Sequence, residues 1–248
     1  MDSVKLKVVG CGDAFGSGGL HATCFYVETP NLNCLIDIGA GGIAGLKMLD
    51  IDPVEIDLII LTHFHGDHYG GLPNFLLDAI FIQARKKELR ILGPPGVERR
   101  VWQLQEAMYG GTSTMDFQFP ISFQEYTDRG DISLSKHMTV RAIPVVHSEP
   151  SNPHAVRVNI DGRSIVYTGD TEWTEHLVSL TQGCDLLISE CFGWNGPMKY
   201  HLSYDEIIDQ AERLNAKRIV LTHLGPEALA RQDEMNLTVL EPGMEILL

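Results

Sequence analysis

Residues 61–71 read LTHFHGDHYGG, and they follow directly on the apolar run IDLIIL of residues 56–61. Three imidazoles and a carboxylate, His63, His65, Asp67 and His68, are thereby packed into six residues at the mouth of what reads as a fully buried strand. Crowding and desolvation make such a cluster costly, with no structural return unless a cation holds the groups together. The stretch is therefore read as a metal-binding turn, and the rest of the chain is searched for further ligands.

The same punctuation recurs later in the sequence. His147 follows an apolar run at 139–146, Asp170 follows one at 164–167, and His223 follows one at 218–221. Alone, His147 or His223 would read as an ordinary surface histidine. In layered α/β folds, however, the loops leaving one edge of the sheets share a surface, and sites are built there. Imidazole with carboxylate suits zinc, manganese or iron, and seven such groups exceed what one tetrahedral ion can use. Two divalent ions are expected, with zinc as first choice and manganese or iron as alternatives.

Around these motifs the chain alternates between strand and helix signals. Strands are predicted at 4–9, 23–29 and 33–38, the last two forming a hairpin, then a helix from 39–42 to about 49, the strand at 56–61 and a helix at 71–79. A strand at 90–92 and a helix at 97–108 follow. Residues 119–170 are strand-rich, with a hairpin turning at Asp161-Gly162. A helix at 175–181, a strand at 185–189, an amphipathic helix at 204–214 and a strand at 218–221 complete the pattern. Each half runs from strands into mixed helix and strand, which suits two sheets packed together with helices outside, in one domain spanning 1–248.

Composition narrows the partners. With 248 residues, 44% hydrophobic, the chain is long enough for one large α/β domain. A net charge of −14 leaves little basic surface to displace counterions, so long nucleic acid and anionic membrane are disfavoured and a small-molecule substrate is expected. The first residues lack the apolar stretch of a signal peptide, and no segment has the length of a membrane span, which predicts a cytoplasmic protein. The five cysteines form no CxxC pair and read as small core residues. A homodimer is compatible with all of this.

The run His63-x-His65-x-Asp67-His68 is identified as the HxHxDH signature of the metallo-β-lactamase fold superfamily. The opening VVGCGDAFGSGG, the segment DIGAG, and the later PVVHSEP, VYTGDT and VLTHLGP are similar to that superfamily's motifs in order and context. The resemblance implies an αββα sandwich in which His63, His65 and His147 hold one ion, Asp67, His68 and His223 the other, and Asp170 bridges them. The β-lactamases themselves carry a cysteine at the bridging position, so antibiotic hydrolysis is not expected. Diiron oxygen reductases carry a glutamate in place of His65 and a flavin domain, neither of which is present.

Two further stretches resemble the ribonuclease Z and cyclic phosphodiesterase branch: LLISECF at 186–192, where that branch carries a glutamate, and the H-x-S motif His201-Leu202-Ser203. By that resemblance His201 is the proton donor, and His201 and Asp67 are the expected catalytic residues. Ser203 with Glu206 also reads as a helix capping box, which accounts for Ser203 but not for His201. The expected activity is hydrolysis of a small phosphodiester or cyclic nucleotide by a metal-bridging hydroxide at a net-positive site. Ribonuclease Z itself fits poorly, since the chain is short and acidic and lacks a tRNA-binding arm, and the cysteine-rich knuckle of the phosphonate-pathway enzymes is missing. A lactone or thioester hydrolase, or a non-catalytic metal-binding accessory protein, are the alternative readings. His21, His137, His154 and His176 read as surface or rim residues, with His154 nearest the pocket.

Overall fold

The computed structural model describes residues 4–127 and 130–248. In the first half, β1 (Lys5–Gly10), β2 (Cys24–Glu28) and β3 (Cys34–Ile36) lead into α1 (Gly42–Met48), β4 (Leu58–Ile60), the single turn α2 (Gly66–Tyr69), α3 (Leu72–Phe81), β5 (Leu89–Gly93), α4 (Val97–Met108) and β6 (Ile121–Glu125). The second half comprises β7 (Ile132–Ser135), β8 (Met138–Pro144), β9 (His154–Ile160), β10 (Arg163–Tyr167), α5 (Glu175–Thr181), β11 (Leu186–Glu190), α6 (Tyr204–Leu214), β12 (Ile219–Thr222), α7 (Pro226–Ala230), β13 (Thr238–Val239) and β14 (Glu245–Leu247).

These strands form two seven-stranded sheets, ordered β14-β1-β2-β3-β4-β5-β6 and β13-β12-β11-β10-β9-β8-β7. In each, antiparallel pairs give way to parallel ones, at β3–β4 in the first sheet and at β10–β11 in the second. The central strands β3 and β4 are apolar at every position, and β10 and β11 over most of their length, because both of their faces are covered. Leu58 and Ile60 point between the sheets while Ile59 packs under α1, α3 and α4. Ile165 and Tyr167 share the inter-sheet core, and Val166 faces α5, α6 and α7. Three apolar layers thus separate four structural ones, the αββα order expected from the sequence. All five cysteines are buried and free.

The capping box predicted at 203–206 is present, with Ser203 Oγ accepting from Glu206 N at 3.3 Å and the Glu206 carboxylate accepting from Ser203 N at 3.2 Å. The strand β14 was not legible in the sequence. It pairs with β1 from the far end of the chain, Leu6 opposite Ile246, so its edge position comes from long-range pairing and not from local pattern. No helix among the described residues is long and apolar enough to cross a membrane.

The segment entering β4 is pinned by Arg85, which is 2% exposed. All five guanidinium donors are used on backbone carbonyls: Nε on Lys87, Nη1 on Pro53 and Val54, and Nη2 on Ile56 and Glu88, at 2.7–3.2 Å. Arg85→Met should therefore strand several buried carbonyls and lower stability by about 3 kcal/mol. A urea-unfolding midpoint indistinguishable from that of the parent protein would refute this role.

Candidate metal centre

The cluster forms where β3 and β4 end side by side. The loop after β3 docks on the turn α2 through backbone bonds from Ile38 N to His68 O at 2.8 Å and from Gly71 N to Ile38 O at 2.9 Å. Contact is so close that a Cβ on Gly39 would fall 2.1 Å from the Asp67 carbonyl oxygen, which is why the DIGAG motif needs glycine there. His63, Asp67, His68, Asp170 and His223 are all buried. His147 follows β8, Asp170 follows β10 and His223 follows β12, each at the carboxyl end of its strand.

All seven side chains singled out in the sequence converge, in two groups that share Asp170. In the first, His65 Nδ1 lies 3.2 Å from His63 Nε2 and 3.1 Å from His147 Nε2, and Asp170 Oδ2 is 3.8 Å from both Nε2 atoms. In the second, Asp67 Oδ2 is 3.2 Å from His68 Nε2 and from His223 Nε2. Asp170 presents Oδ1 to His68 at 3.3 Å and Oδ2 to His223 at 3.5 Å. Ligands 2.0–2.1 Å from a common tetrahedral centre stand about 3.3 Å apart, so both groups have the spacing of a transition-ion shell. The buried atoms His68 Nε2 and Asp170 Oδ1 make no hydrogen bond despite their proximity. A shared cation would satisfy both atoms at once.

The outer nitrogens are fixed by partners the sequence did not single out. Asp37, fully buried, accepts from Thr62 N, Thr62 Oγ1 and His68 Nδ1, each at 2.7 Å. Because the Thr62 hydroxyl donates to Asp37, it accepts from His63 Nδ1 at 3.0 Å. His147 Nδ1 donates to Tyr200 O at 2.7 Å. The Nε2 atoms of His63, His68 and His147 are left free of these bonds and turned inward, the arrangement in which imidazole serves as a metal ligand. The signal for Asp37 was present in DIGAG, but nothing local showed that its carboxylate would reach across to a turn 31 residues later.

Electrostatics separates the two groups. Burial, aided by the charge of His68, pushes His63 well below the ordinary histidine range, and burial likewise lowers His65 and His147, so all three are neutral Lewis bases. His68 is raised well above its ordinary value because the Asp170 and Asp67 charges outweigh burial. His223 is likewise raised, to about 9, by the Asp170 charge and its bond to Asp67. Asp170 is driven well below the carboxylate range, since the charges of His223 and His68 overcome its burial. The second group is therefore an environment that favours positive charge, which a bound cation would supply.

His201 stands beside this centre and belongs to neither of these two groups, lying instead in a third close set with Glu190 and His223. Its Nδ1 is 3.0 Å from Oε1 of the fully buried Glu190, and its ring stacks on Phe192 at 4.7 Å and lies beside His223 at 5.5 Å. Burial lowers its affinity for a proton, but the bond to Glu190 and that carboxylate's charge outweigh it and raise the pKa. Glu190 is thus the carboxylate partner that the sequence left open. His154 is not the surface or rim residue that was expected. It is buried, with Nδ1 2.9 Å from Asn152 O and its ring against Tyr126, because the N-terminal end of β9 tucks under Thr62 through a bond from His154 N to Thr62 O. His137 pairs with Asp161, and His176 is exposed near Pro144 O.

Asp37→Ala should weaken metal retention by roughly 10–100-fold, because His68 and, through Thr62, His63 lose the partners that orient them. Competitive chelation measures this. Retention equal to that of the parent would show that the outer carboxylate is dispensable.

The comparisons with known proteins agree with this architecture. The chain is 25% identical over 236 residues to the Anti-Pycsar protein Apyc1 of Bacillus phage BSP38, covering 91% of this chain and 90% of the phage protein. It is 27% identical over 278 residues to ribonuclease Z of Pyrococcus abyssi, covering 92% and 90%. The crystal structure of the metallo-β-lactamase fold protein YhfI from Bacillus subtilis superposes with a TM-score of 0.78 at 20% identity over the full length of both chains, which establishes the fold. The family described as Anti-Pycsar protein Apyc1 matches residues 4–242, nearly the whole chain, and the protein belongs to that family.

Proposed function

We propose that the protein is a phosphodiesterase acting on a small phosphodiester the size of a cyclic nucleotide, with His63, His65 and His147 around one divalent ion, Asp67, His68 and His223 around a second, and Asp170 between them. Family membership makes the chain a metal-dependent hydrolase. The observation that carries the narrower reading is the Glu190–His201 pair at the rim of the centre, 3.0 Å apart. Divalent ions bound there, zinc first, would supply a water of lowered pKa and polarise a phosphoryl oxygen. They would also outweigh the charge of Asp67 and Asp170, giving an anionic substrate a positive seat inside an acidic chain.

The chain's own residues supply the proton. With Nδ1–H committed to Glu190, His201 in its protonated form presents Nε2–H to a departing alkoxide. When the P–O bond breaks, that proton passes to the leaving oxygen, the imidazole becomes neutral, and solvent restores it. Stacking against Phe192 and His223 holds the ring in place through the transfer. The ribonuclease Z relative, by name a phosphodiesterase, supports this reaction class, and the net charge of −14 opposes a long polyanion as substrate. Hydrolysis of a lactone or thioester is the second reading. The partly exposed Tyr200, its ring 5.8 Å from that of His147, is the residue that such a reaction would use.

Metal-reconstituted protein should contain about two transition ions per chain by elemental analysis, since a single ion would leave part of the second group unsatisfied. At most one equivalent after zinc or manganese loading would remove the dinuclear reading. His201→Ala should keep its full metal content and lose about 10²–10⁴-fold in kcat/KM on diesters with an alkoxide leaving group, but far less on nitrophenyl diesters, whose leaving group departs without a proton. Equal loss on both classes would make His201 a positioning residue only, and loss of metal would make it a ligand.

A further inference from the structure

Phe15 is the most exposed large apolar side chain among the described residues, at 79%. It does not sit on a loose segment. Asp13, 1% exposed, accepts from Phe15 N at 3.1 Å and Ser17 N at 2.8 Å through Oδ1, and from Ser17 Oγ at 2.6 Å through Oδ2. Gly16, Gly18 and Gly19 all adopt positive φ, and a Cβ on Gly18 would lie 2.7 Å from a methyl carbon of Leu229, so the far side of the loop is seated on α7. A buried carboxylate and three left-handed glycines therefore hold the backbone in one shape and turn the phenyl ring outward. Leaving such a ring in water forgoes roughly 1.5–3 kcal/mol of burial.

The direction of that ring says what covers it. Phe15 meets Phe192 edge-on, with centroids 6.2 Å apart and planes at 62°. Phe192 in turn stacks on His201 at 4.7 Å and 25°, and lies 6.2 Å from His223. An aromatic line thus runs from the metal centre, past the proposed acid, to a ring in solvent. The neighbours of Phe15 along the chain offer no free side chain to read a base edge: Ser17 is spent on Asp13, and Ala14 and Gly16 carry no polar side chain.

We propose that Phe15 is a specificity-determining residue that stacks on the heterocyclic base of a nucleotide substrate whose phosphodiester lies at the metal centre, with Phe192 flanking the sugar. This rests on the phosphodiesterase reading and assigns the residue at that site that meets the base. Because stacking recognises a π-face and not a hydrogen-bonding edge, loss of Phe15 should weaken purine and pyrimidine nucleotides alike, the larger rings more.

The test uses the metal-loaded full chain and the variants Phe15→Ala and Phe15→Trp. Base stacking is worth about 1–3 kcal/mol, so Phe15→Ala should raise KM for a 3′,5′-cyclic nucleotide by roughly 5- to 150-fold with a much smaller change in kcat. KM for the matching abasic ribose cyclic phosphate should shift far less, and Phe15→Trp should restore nucleotide KM. Independently of turnover, a non-hydrolysable phosphorothioate cyclic nucleotide should bind Phe15→Ala more weakly by the same factor in calorimetry. It should also quench the added indole of Phe15→Trp. Equal KM changes on nucleotide and abasic substrates, or no change on either, overturn the proposal. A change in sedimentation mass on Phe15→Ala with nucleotide binding intact also overturns it, since a second copy would then be the occupant. If the parent protein hydrolyses no phosphodiester, the functional reading fails by itself, while calorimetry and quenching still decide whether Phe15 meets a base.

Discussion

The carboxylate of Asp37 is the contact on which the metal side of the molecule depends. It is fully buried, and burial of an unpaired charge is prohibitively costly, so its three short bonds to Thr62 and His68 are a condition of folding as well as of site geometry. The left-handed backbone at Asp37, φ 59°, turns the side chain inward to make them. Through those bonds the end of β3 is tied to the end of β4 and to the turn α2. One carboxylate thereby orients His68 directly and His63 through the Thr62 hydroxyl.

The second sheet is brought to the same point by a different device. His223 N and the Thr222 hydroxyl both donate to Cys11 O, so the end of β12 is fastened to the segment just after β1 in the opposite sheet. His223 and Tyr200 also hold positive φ, 59° and 74°, conformations that side chains of their size seldom adopt. Such strain, of order 1–3 kcal/mol per residue, persists where the surroundings over-determine it. Here it aims one imidazole at the centre and one carbonyl at His147.

Glu190 organises the open side as Asp37 organises the closed one. It accepts from Thr171 N, Leu202 N and His201 Nδ1 through Oε1, and from Phe192 N through Oε2, at 3.0–3.1 Å. The residue after Asp170, the histidine proposed as acid and the phenyl ring beside it are thus all placed by one side chain. Any change at Glu190 would therefore be felt at Asp170 and at His201 together, and effects at these positions would not add.

The layers and the candidate ligands were legible from the residues alone. Apolar runs without alternation, such as those at 58–61 and 186–188, mean strands covered on both faces, and three imidazoles beside a carboxylate at residues 63–68 point to a cation, because both follow from local spacing and the cost of burying polar groups. Its motif order also set His147, Asp170 and His223 in line as partners. Tertiary structure alone decided how these groups are held. Asp37, Thr62, Tyr200 and Glu190 act across gaps of up to 53 residues, where nothing in the local pattern of either partner marks the other. The edge strand β14 and the burial of His154 were hidden for the same reason, since both come from packing between segments far apart in the chain.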